Sequence, residues 1–421
     1  MKRCFPVRLG VWATCASIAF AFGCTKADTN GVSPIVSAAP SATLPSNHRP
    51  PAKSTRRTTS GAIAVGNLDG EISTLERLLI KPDPQRRRQL IESLALRGEM
   101  LGRIADVERA AAMAEVLPQE MQDKPEAYVT RASMRATLHR FDEAWADLDE
   151  AEKRGAQAGQ TRRIRASILA ARGQLEEALT LASMMRQEKP GIDTIGFVAV
   201  LLGELGRRTE AITAFREAFE SNRDTSPFPV AGLFFAQGQF WEREGEDDLA
   251  VAYYQAALER LPVHAHAAAH QARLMAPEGA EALLKPLLAT SDDPELKAVL
   301  AVKLRARGDV AGAKEYAAAA AARYDELVGR HPAAYADHAA QFWLDVGEDP
   351  IKSLEWAKRN LIVRKTPKAY ELAVVAALAG HDRKTACEIG TEGLARARVT
   401  SMFRAIVKDA CEPREKAPTT F

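Results

Sequence analysis

Residues 231–264 read AGLFFAQGQFWEREGEDDLAVAYYQAALERLPVH, and this stretch carries the pattern that predicts the fold. Gly245 stands between two apolar segments, where a tight turn excludes a Cβ. An alanine follows the turn, with a large residue four positions later on the same helix face. A proline then stops the second helix. The stretch predicts a helical hairpin. The pattern residues are Phe234, Gly238, Trp241, Ala250, Tyr254, Ala257 and Pro262.

The pattern recurs through the chain about every 34 residues. Amphipathic helices placed at random have no fixed period, so this regularity indicates a stacked array of hairpins. The candidate turn positions are Gly102, His139, Gly173, Gly206, Gly245, Pro277, Gly308, Gly347 and Gly380. The alanines after the turns, each with its same-face partner, are Ala144 with Leu148, Ala178 with Ala182, Ala211 with Phe215, Ala250 with Tyr254, and Ala313 with Ala317.

This pattern resembles the tetratricopeptide repeat. The resemblance implies an all-α fold, a right-handed solenoid of antiparallel helical hairpins with about eight to nine repeats and a C-terminal capping helix near 399–410. We expect the solenoid to cover 62–412 and a disordered tail to follow at 413–421. Two irregularities are expected: a shortened or kinked helix around Pro286, and an enlarged loop over 222–229.

The N-terminus reads as an export signal. Three basic residues precede a charge-free apolar run over 9–22, which is too short to span a bilayer comfortably. Residues 21–24, Ala-Phe-Gly-Cys, resemble the bacterial lipobox, which implies a lipoprotein signal peptide over 1–23 and lipidation of Cys24. Cleavage after Ala21 by an ordinary signal peptidase is the alternative.

The segment 24–61 is rich in proline, serine and threonine, and we expect it to be a disordered linker. Resemblance to bacterial tetratricopeptide lipoproteins implies a cell-envelope location. Thr25 after the cysteine suggests an outer-membrane anchor facing the periplasm; secretion into the periplasm is the alternative. Removal of 1–23 deletes three basic residues and no acidic one, which lowers the net charge from +2 to −1. This balance argues against nucleic acid as a partner.

No catalytic or cofactor-binding motif occurs, so we predict neither an enzyme nor a cofactor. Among the histidines, His264, His266 and His270 form a cluster, and the last two stand four residues apart, as metal ligands on one helix face would. Ala267 occupies the place of the glutamate in the zinc-protease motif, and no carboxylate is evident nearby. We therefore predict a structural role for these histidines and no metal site.

The tetratricopeptide resemblance also implies a concave groove lined by the first helix of each hairpin. Carried over by position, it offers a small, apolar centre flanked by one arginine and one glutamate, and lacks the family's carboxylate clamp. Such a surface suits a protein or peptide partner with an apolar anchor near Phe235. The candidate groove residues are Val129, Ser133, Arg163, Ser167, Val200, Phe235, Gln239 and Glu242.

Export would place Cys387 and Cys411 in an oxidising compartment. They fall near the start of one predicted helix and the end of the next, and these ends are neighbours in an antiparallel hairpin. We predict a Cys387–Cys411 disulfide, with two buried thiols as the alternative.

Three functions are compatible with these features. The favoured one is a lipid-anchored envelope scaffold that binds protein or peptide partners, in envelope assembly, secretion or pilus machinery, or regulation of peptidoglycan enzymes. The second is a structural spacer without a discrete partner. The third and most remote is an enzyme with an unrecognised site.

Overall fold

A computed structural model describes residues 48–51, 57–122, 124–396 and 401–412. These residues form α-helices and a short 3-10 helix at Lys285–Ala289, and the described residues contain no strand. The helices are α1 Gly61–Leu78, α2 Pro84–Leu101, α3 Ile104–Glu120, α4 Pro125–Thr137, α5 Phe141–Lys153, α6 Ala158–Ala171, α7 Leu175–Glu188, α8 Ile192–Glu204, α9 Arg208–Ser221, α10 Pro227–Arg243, α11 Asp247–Arg260, α12 Ala265–Leu274, α13 Pro277–Leu284, α14 Pro294–Arg307, α15 Val310–Arg330, α16 Pro332–Asp345, α17 Pro350–Val363, α18 Pro367–Ala379, α19 Arg383–Arg396 and α20 Ser401–Cys411.

From α2 onward the helices pair into consecutive hairpins, and each hairpin packs on the next. The first helices of neighbouring hairpins also touch, as α8 touches α10 and α16 touches α18. The first helices therefore line one continuous inner face. The predicted close-contact alanines are buried at the hairpin interfaces: Ala144, Ala178, Ala211, Ala250 and Ala313. The fold is the tetratricopeptide-like α-solenoid that the sequence pattern predicts.

Most of the predicted turn residues adopt the left-handed conformation that a tight turn requires. Their φ angles are 62° at Gly102, 54° at His139, 85° at Gly173, 68° at Gly206, 76° at Gly245 and 91° at Gly308.

Three other candidate turn positions do not have a positive φ, although Gly347 and Gly380 do lie in the turns between helices. Pro277 is the first residue of α13. At the last two turns the positive φ falls one residue later than predicted, at Glu348 (52°) and His381 (60°). In the last turn, α18 ends at Ala379, and the left-handed residue is His381, the second residue after the helix. Gly380, the first residue after the helix, has φ −81°.

The irregular hairpin expected around Pro286 is present. Its helices have only 10 and 8 residues, and the 3-10 segment that contains Pro286 follows them. The enlarged loop predicted over 222–229 is shorter than expected, because Pro227 and Pro229 belong to the first turn of α10. Proline is well suited to this position, since the first amides of a helix have no intrahelical acceptor.

The solenoid winds back onto itself after about 190 residues. Ser291 Oγ donates to the carbonyl oxygen of Gly102 at 2.7 Å, a contact across 189 residues. His139 Nδ1 lies 2.9 Å from the carbonyl oxygen of Ala333, across 194 residues. A Cβ on Gly173 would meet the carbonyl oxygen of Lys365 at 2.6 Å. Turns of the N-terminal coil, formed by α2–α7, thus touch loops and the start of α16 in the C-terminal coil, formed by α12–α18, and the inner face becomes a channel between them.

The contact between the coils makes Gly102→Ala more costly than Gly206→Ala. Both residues have positive φ, which costs an alanine about 1 kcal/mol. A Cβ at Gly206 meets nothing within 4 Å, whereas one at Gly102 lies 2.7 Å from Ser291 Oγ and 2.8 Å from the Ala265 Cβ. We expect Gly102→Ala to lower the free energy of unfolding by at least about 1 kcal/mol more than Gly206→Ala, in urea unfolding followed by circular dichroism. Equal losses would mean that the coils do not touch in solution.

Helix α20 covers the end of the array. Phe403 and Val407 of this helix are buried against Tyr370 and Val374 of α18. A disulfide joins Cys387 in α19 to Cys411 at the end of α20, with a Cα–Cα distance of 4.9 Å. The bridge ties the last helix to the preceding one.

Several sequence predictions concern residues that the structure does not describe. The signal peptide, Cys24, most of the linker and the tail at 413–421 lie outside the described residues. Within the described part, every helix is too short or too polar to cross a bilayer.

Candidate functional site in the channel

A cavity of about 490 Å³ lies inside the channel where the two coils meet. One wall comes from the N-terminal coil and includes Glu99 and Arg163; the other comes from the C-terminal coil and includes His266, Asp293 and Tyr335. The Glu99 side chain is exposed to solvent within the channel, but the protein that surrounds it on several sides partly desolvates its carboxyl and raises the pKa of that group. The cavity therefore combines apolar surface with charges of both signs. Its apolar lining includes Ile91, Leu96, Ile104, Val107, Val129, Met134 and Ile164.

The predicted groove residues separate into two groups. Val129, Ser133 and Arg163 line this cavity together. Val200, Gln239 and Glu242 are buried, and Ser167 and Phe235 are half-buried. The first group is open to a ligand, whereas Phe235, Gln239 and Glu242 belong to packed structure further along the inner face.

Phe235 sits in a cluster of rings. Its centroid lies 5.1 Å from that of His264, 5.4 Å from His270, 6.0 Å from Tyr254 and 6.1 Å from His266. The three histidines of the sequence cluster thus surround the phenylalanine predicted to anchor a partner. The small, apolar groove centre expected from the resemblance is absent at this point, because imidazoles occupy it.

Glu242 belongs to a buried network of hydrogen bonds. Its Oε2 lies 2.8 Å from His270 Nδ1 and accepts a hydrogen bond from the hydroxyl of Tyr254. Burial alone would raise the pKa of Glu242, but these partners outweigh it and the pKa is lowered. The glutamate predicted to flank the groove is engaged within the protein instead.

The expectation that no carboxylate lies near the histidines is wrong. Asp293 Oδ2 lies 3.7 Å and Glu295 Oε2 lies 3.9 Å from His266 Nδ1, and all three residues are buried. Asp293 is the N-cap of α14, and its Oδ1 accepts the Glu295 amide at 2.8 Å. Local sequence does not reveal this cluster, because its carboxylates come from the next hairpin.

A second group of ionisable side chains lies on the inner face of the C-terminal coil. Its members are on α16, directly after α17, and on α18. Burial raises the pKa of Asp345 and that of Glu371 to about 7, and it lowers the pKa of Lys368 to about 7. Arg364, just after α17, donates to the Asp337 carboxylate. The inner face of the C-terminal coil thus holds several groups that change charge near neutral pH.

The raised pKa of Glu371 predicts a pH-dependent stability. An unfolded glutamate loses its proton near 4.5, whereas the native protein keeps this proton up to about 7. The native state therefore binds more protons between these values, and its stability falls as pH rises through them. We expect Glu371→Gln to exceed the wild type in unfolding free energy by up to about 3 kcal/mol at pH 8, with almost no difference at pH 4.

Urea unfolding at both pH values measures this effect. Glu176→Gln, on the exposed face of α7, is the control for loss of one negative charge. If Glu371→Gln raised the unfolding free energy equally at pH 4 and pH 8, the raised pKa of Glu371 would be contradicted.

The described fold and channel define a class of protein: a helical-repeat solenoid with a ligand-sized cavity between its coils. Similar solved structures include the human IFIT1 dimer with m7Gppp-AAAA, which is 13% identical over 81% of this chain and 84% of that chain, with a TM-score of 0.43. Yeast Tom70 is 13% identical over 83% of this chain and 92% of its own, with a TM-score of 0.35. The Cut9–Hcn1 hetero-tetramer of APC/C is 14% identical over 83% and 88%, with a TM-score of 0.33. No protein-family model and no curated protein matches this chain.

Proposed function

We propose that this protein is a lipid-anchored scaffold of the cell envelope that binds a segment of a partner protein in its channel. The observation that carries the proposal is the cavity of about 490 Å³ lined by both coils. This volume is within the range of ligand-binding pockets. A site built from two coils positions its side chains rigidly, which reduces the entropy lost on binding.

The lining defines the chemistry of the partner segment. Apolar side chains from α2, α3 and α4 favour burial of an apolar anchor. Arg163 and Glu99 face the same cavity with opposite charges. An extended peptide with an apolar residue beside an acidic one fits this surface, since its carboxylate can pair with the guanidinium of Arg163.

The proposed lipid anchor would determine where in the cell the protein acts. Under it, Cys24 carries the lipid, and 25–61 connects the lipid to the solenoid at the periplasmic face of the outer membrane. Each buried methylene of a lipid chain contributes about 0.8 kcal/mol to membrane binding. Tethering raises the effective concentration of the solenoid near envelope partners.

Affinity purification of this protein with its bound partners from native membranes tests both parts of the proposal, namely binding in the channel and anchoring through Cys24. We expect Arg163→Glu to abolish recovery of an envelope protein that the wild type retains at one copy per chain. Lys384→Glu reverses the same charge at a residue whose side chain is 88% exposed on α19, and should leave recovery unchanged. Cys24→Ser should move the protein to the soluble fraction while a peptide from that partner still binds.

The outcomes separate the alternatives. Loss of membrane association in Cys24→Ser without any partner in the wild type would favour the spacer. Equal recovery by the Arg163→Glu and Lys384→Glu variants would remove the channel as the binding site. A Cys24→Ser variant that stays on the membrane would remove the lipid anchor.

A further inference from the structure

We propose that His266, Asp293 and Glu295 form a binding site for one divalent transition-metal ion, with Zn²⁺ the best fit. One ligand atom from each residue lies within 4.8 Å of the other two. The distances from His266 Nδ1, 3.7 Å to Asp293 and 3.9 Å to Glu295, exceed a hydrogen bond. Ligands about 2.0–2.2 Å from a tetrahedral zinc ion stand about 3.3–3.6 Å apart, so side-chain shifts of about 1 Å or less would bring the three atoms, now within 4.8 Å of one another, to this spacing.

Each carboxylate is already held in place through its other oxygen. Asp293 Oδ1 caps α14, which leaves Oδ2 towards His266. Glu295 Oε1 accepts from Arg273, which leaves Oε2 towards the same imidazole. Hydrogen bonds that orient metal ligands in this way are typical of metal sites. The cluster is therefore organised before any ion arrives.

Glu295 supplies the observation that points most directly to a ligand. The residue is only 1% exposed, and its Oε2 accepts no hydrogen bond in the described structure. An unsatisfied buried carboxylate oxygen destabilises the fold, unless a cation or donor fills the gap beside it. A metal ion between Oε2, Asp293 Oδ2 and the imidazole would give this carboxylate oxygen a partner.

The surroundings leave one coordination position open. His266 and Asp293 line the 490 Å³ cavity, so water or a partner group can reach the ion from that side. Glu99 lines the same cavity and adds a further carboxyl group on that side. One imidazole with two carboxylates favours Zn²⁺ or a similar ion over Ca²⁺ and Mg²⁺, which prefer six or more oxygen ligands.

The site also lies beside the contact between the coils. Ser291, two residues before Asp293, donates to the carbonyl oxygen of Gly102 in the N-terminal coil. An ion held by α12 and the start of α14 would make this loop more rigid and stabilise the closed channel. This role is independent of any protein partner.

Calorimetric titration of ZnCl₂ into the full exported chain, without a histidine tag and after dialysis against chelator, tests the site. We expect one Zn²⁺ per chain, and a melting temperature that Zn²⁺ raises and chelator restores. Asp293→Asn should weaken binding at least about tenfold, because asparagine preserves the helix cap but removes the charged ligand. His266→Gln should have a similar effect.

His381→Gln is the matched control, since it removes an exposed histidine outside the cluster. Its zinc affinity should equal that of the wild type. Circular dichroism without metal establishes that each variant folds. The proposal is overturned if the wild type takes up no Zn²⁺, or if folded Asp293→Asn and His266→Gln variants bind it as tightly as the control.

Discussion

Replacing Trp241 with alanine is expected to lower the free energy of unfolding by about 3–5 kcal/mol. The indole is fully buried in the largest core cluster, with its centroid 5.0 Å from that of Phe240. The guanidinium of Arg208 also lies 5.4 Å from the ring. Alanine would leave a cavity that the rigid stack of α10 and α11 cannot close. Urea unfolding followed by circular dichroism measures the loss.

The size of this effect is large for a domain whose total stability is typically about 5–15 kcal/mol. Because each hairpin is stabilised by its neighbours, the loss of stability at α10 should also destabilise the adjacent central repeats. Ile362→Ala is the control: that side chain is 78% exposed, and its removal should change stability by no more than about 0.5 kcal/mol. A Trp241→Ala loss below about 1 kcal/mol would contradict the packing described here.

The second large effect is expected for Arg364→Ala, which should also cost about 3–5 kcal/mol at pH 7. Arg364 is 3% exposed and donates to Asp337, which is 8% exposed. Burial raises the pKa of Asp337, but the charges of His338 and Arg364 outweigh this and hold it at about 2. Removing Arg364 leaves a buried carboxylate without its guanidinium.

A double variant distinguishes this cause from simple loss of packing. Asp337→Ala with Arg364→Ala should cost less than Arg364→Ala alone, because no isolated charge remains. The cost of Arg364→Ala should also fall as pH is lowered, since protonation of Asp337 removes the uncompensated charge. A double variant less stable than Arg364→Ala would show that the penalty comes from lost packing.

Part of the groove predicted from the sequence lines the cavity between the coils. Val129 and Arg163 stand at corresponding positions of the first helices α4 and α6, and Ser133 follows Val129 by one helical turn, so this placement follows from the repeat. The surroundings of Phe235 and Glu242 were not predicted. Their histidine partners lie on α12, in the next hairpin. Which side chains of successive hairpins meet depends on the small rotation between hairpins, and residue identity within one repeat does not specify this rotation.

The histidine cluster illustrates the same limit. In the sequence His266 stands among alanines, and its carboxylate neighbours come 27 and 29 residues later. The short hairpin α12–α13 and its 3-10 segment bring the start of α14 back beside α12. The sequence indicated a shortened helix at Pro286, but not that this shortening would place Asp293 and Glu295 against the imidazole.

By itself, the sequence determined the all-helical repeat, most of the turn positions and the alanine contacts within hairpins. All of these depend on residues within about one repeat, where hydrophobic periodicity and backbone conformation act directly. Only the tertiary structure decided that turns such as Gly102 and His139 meet segments about 190 residues away, and that a cavity with apolar and charged lining residues lies between the coils. Small rotations between neighbouring hairpins add up along the array, and their sum decides which distant surfaces touch.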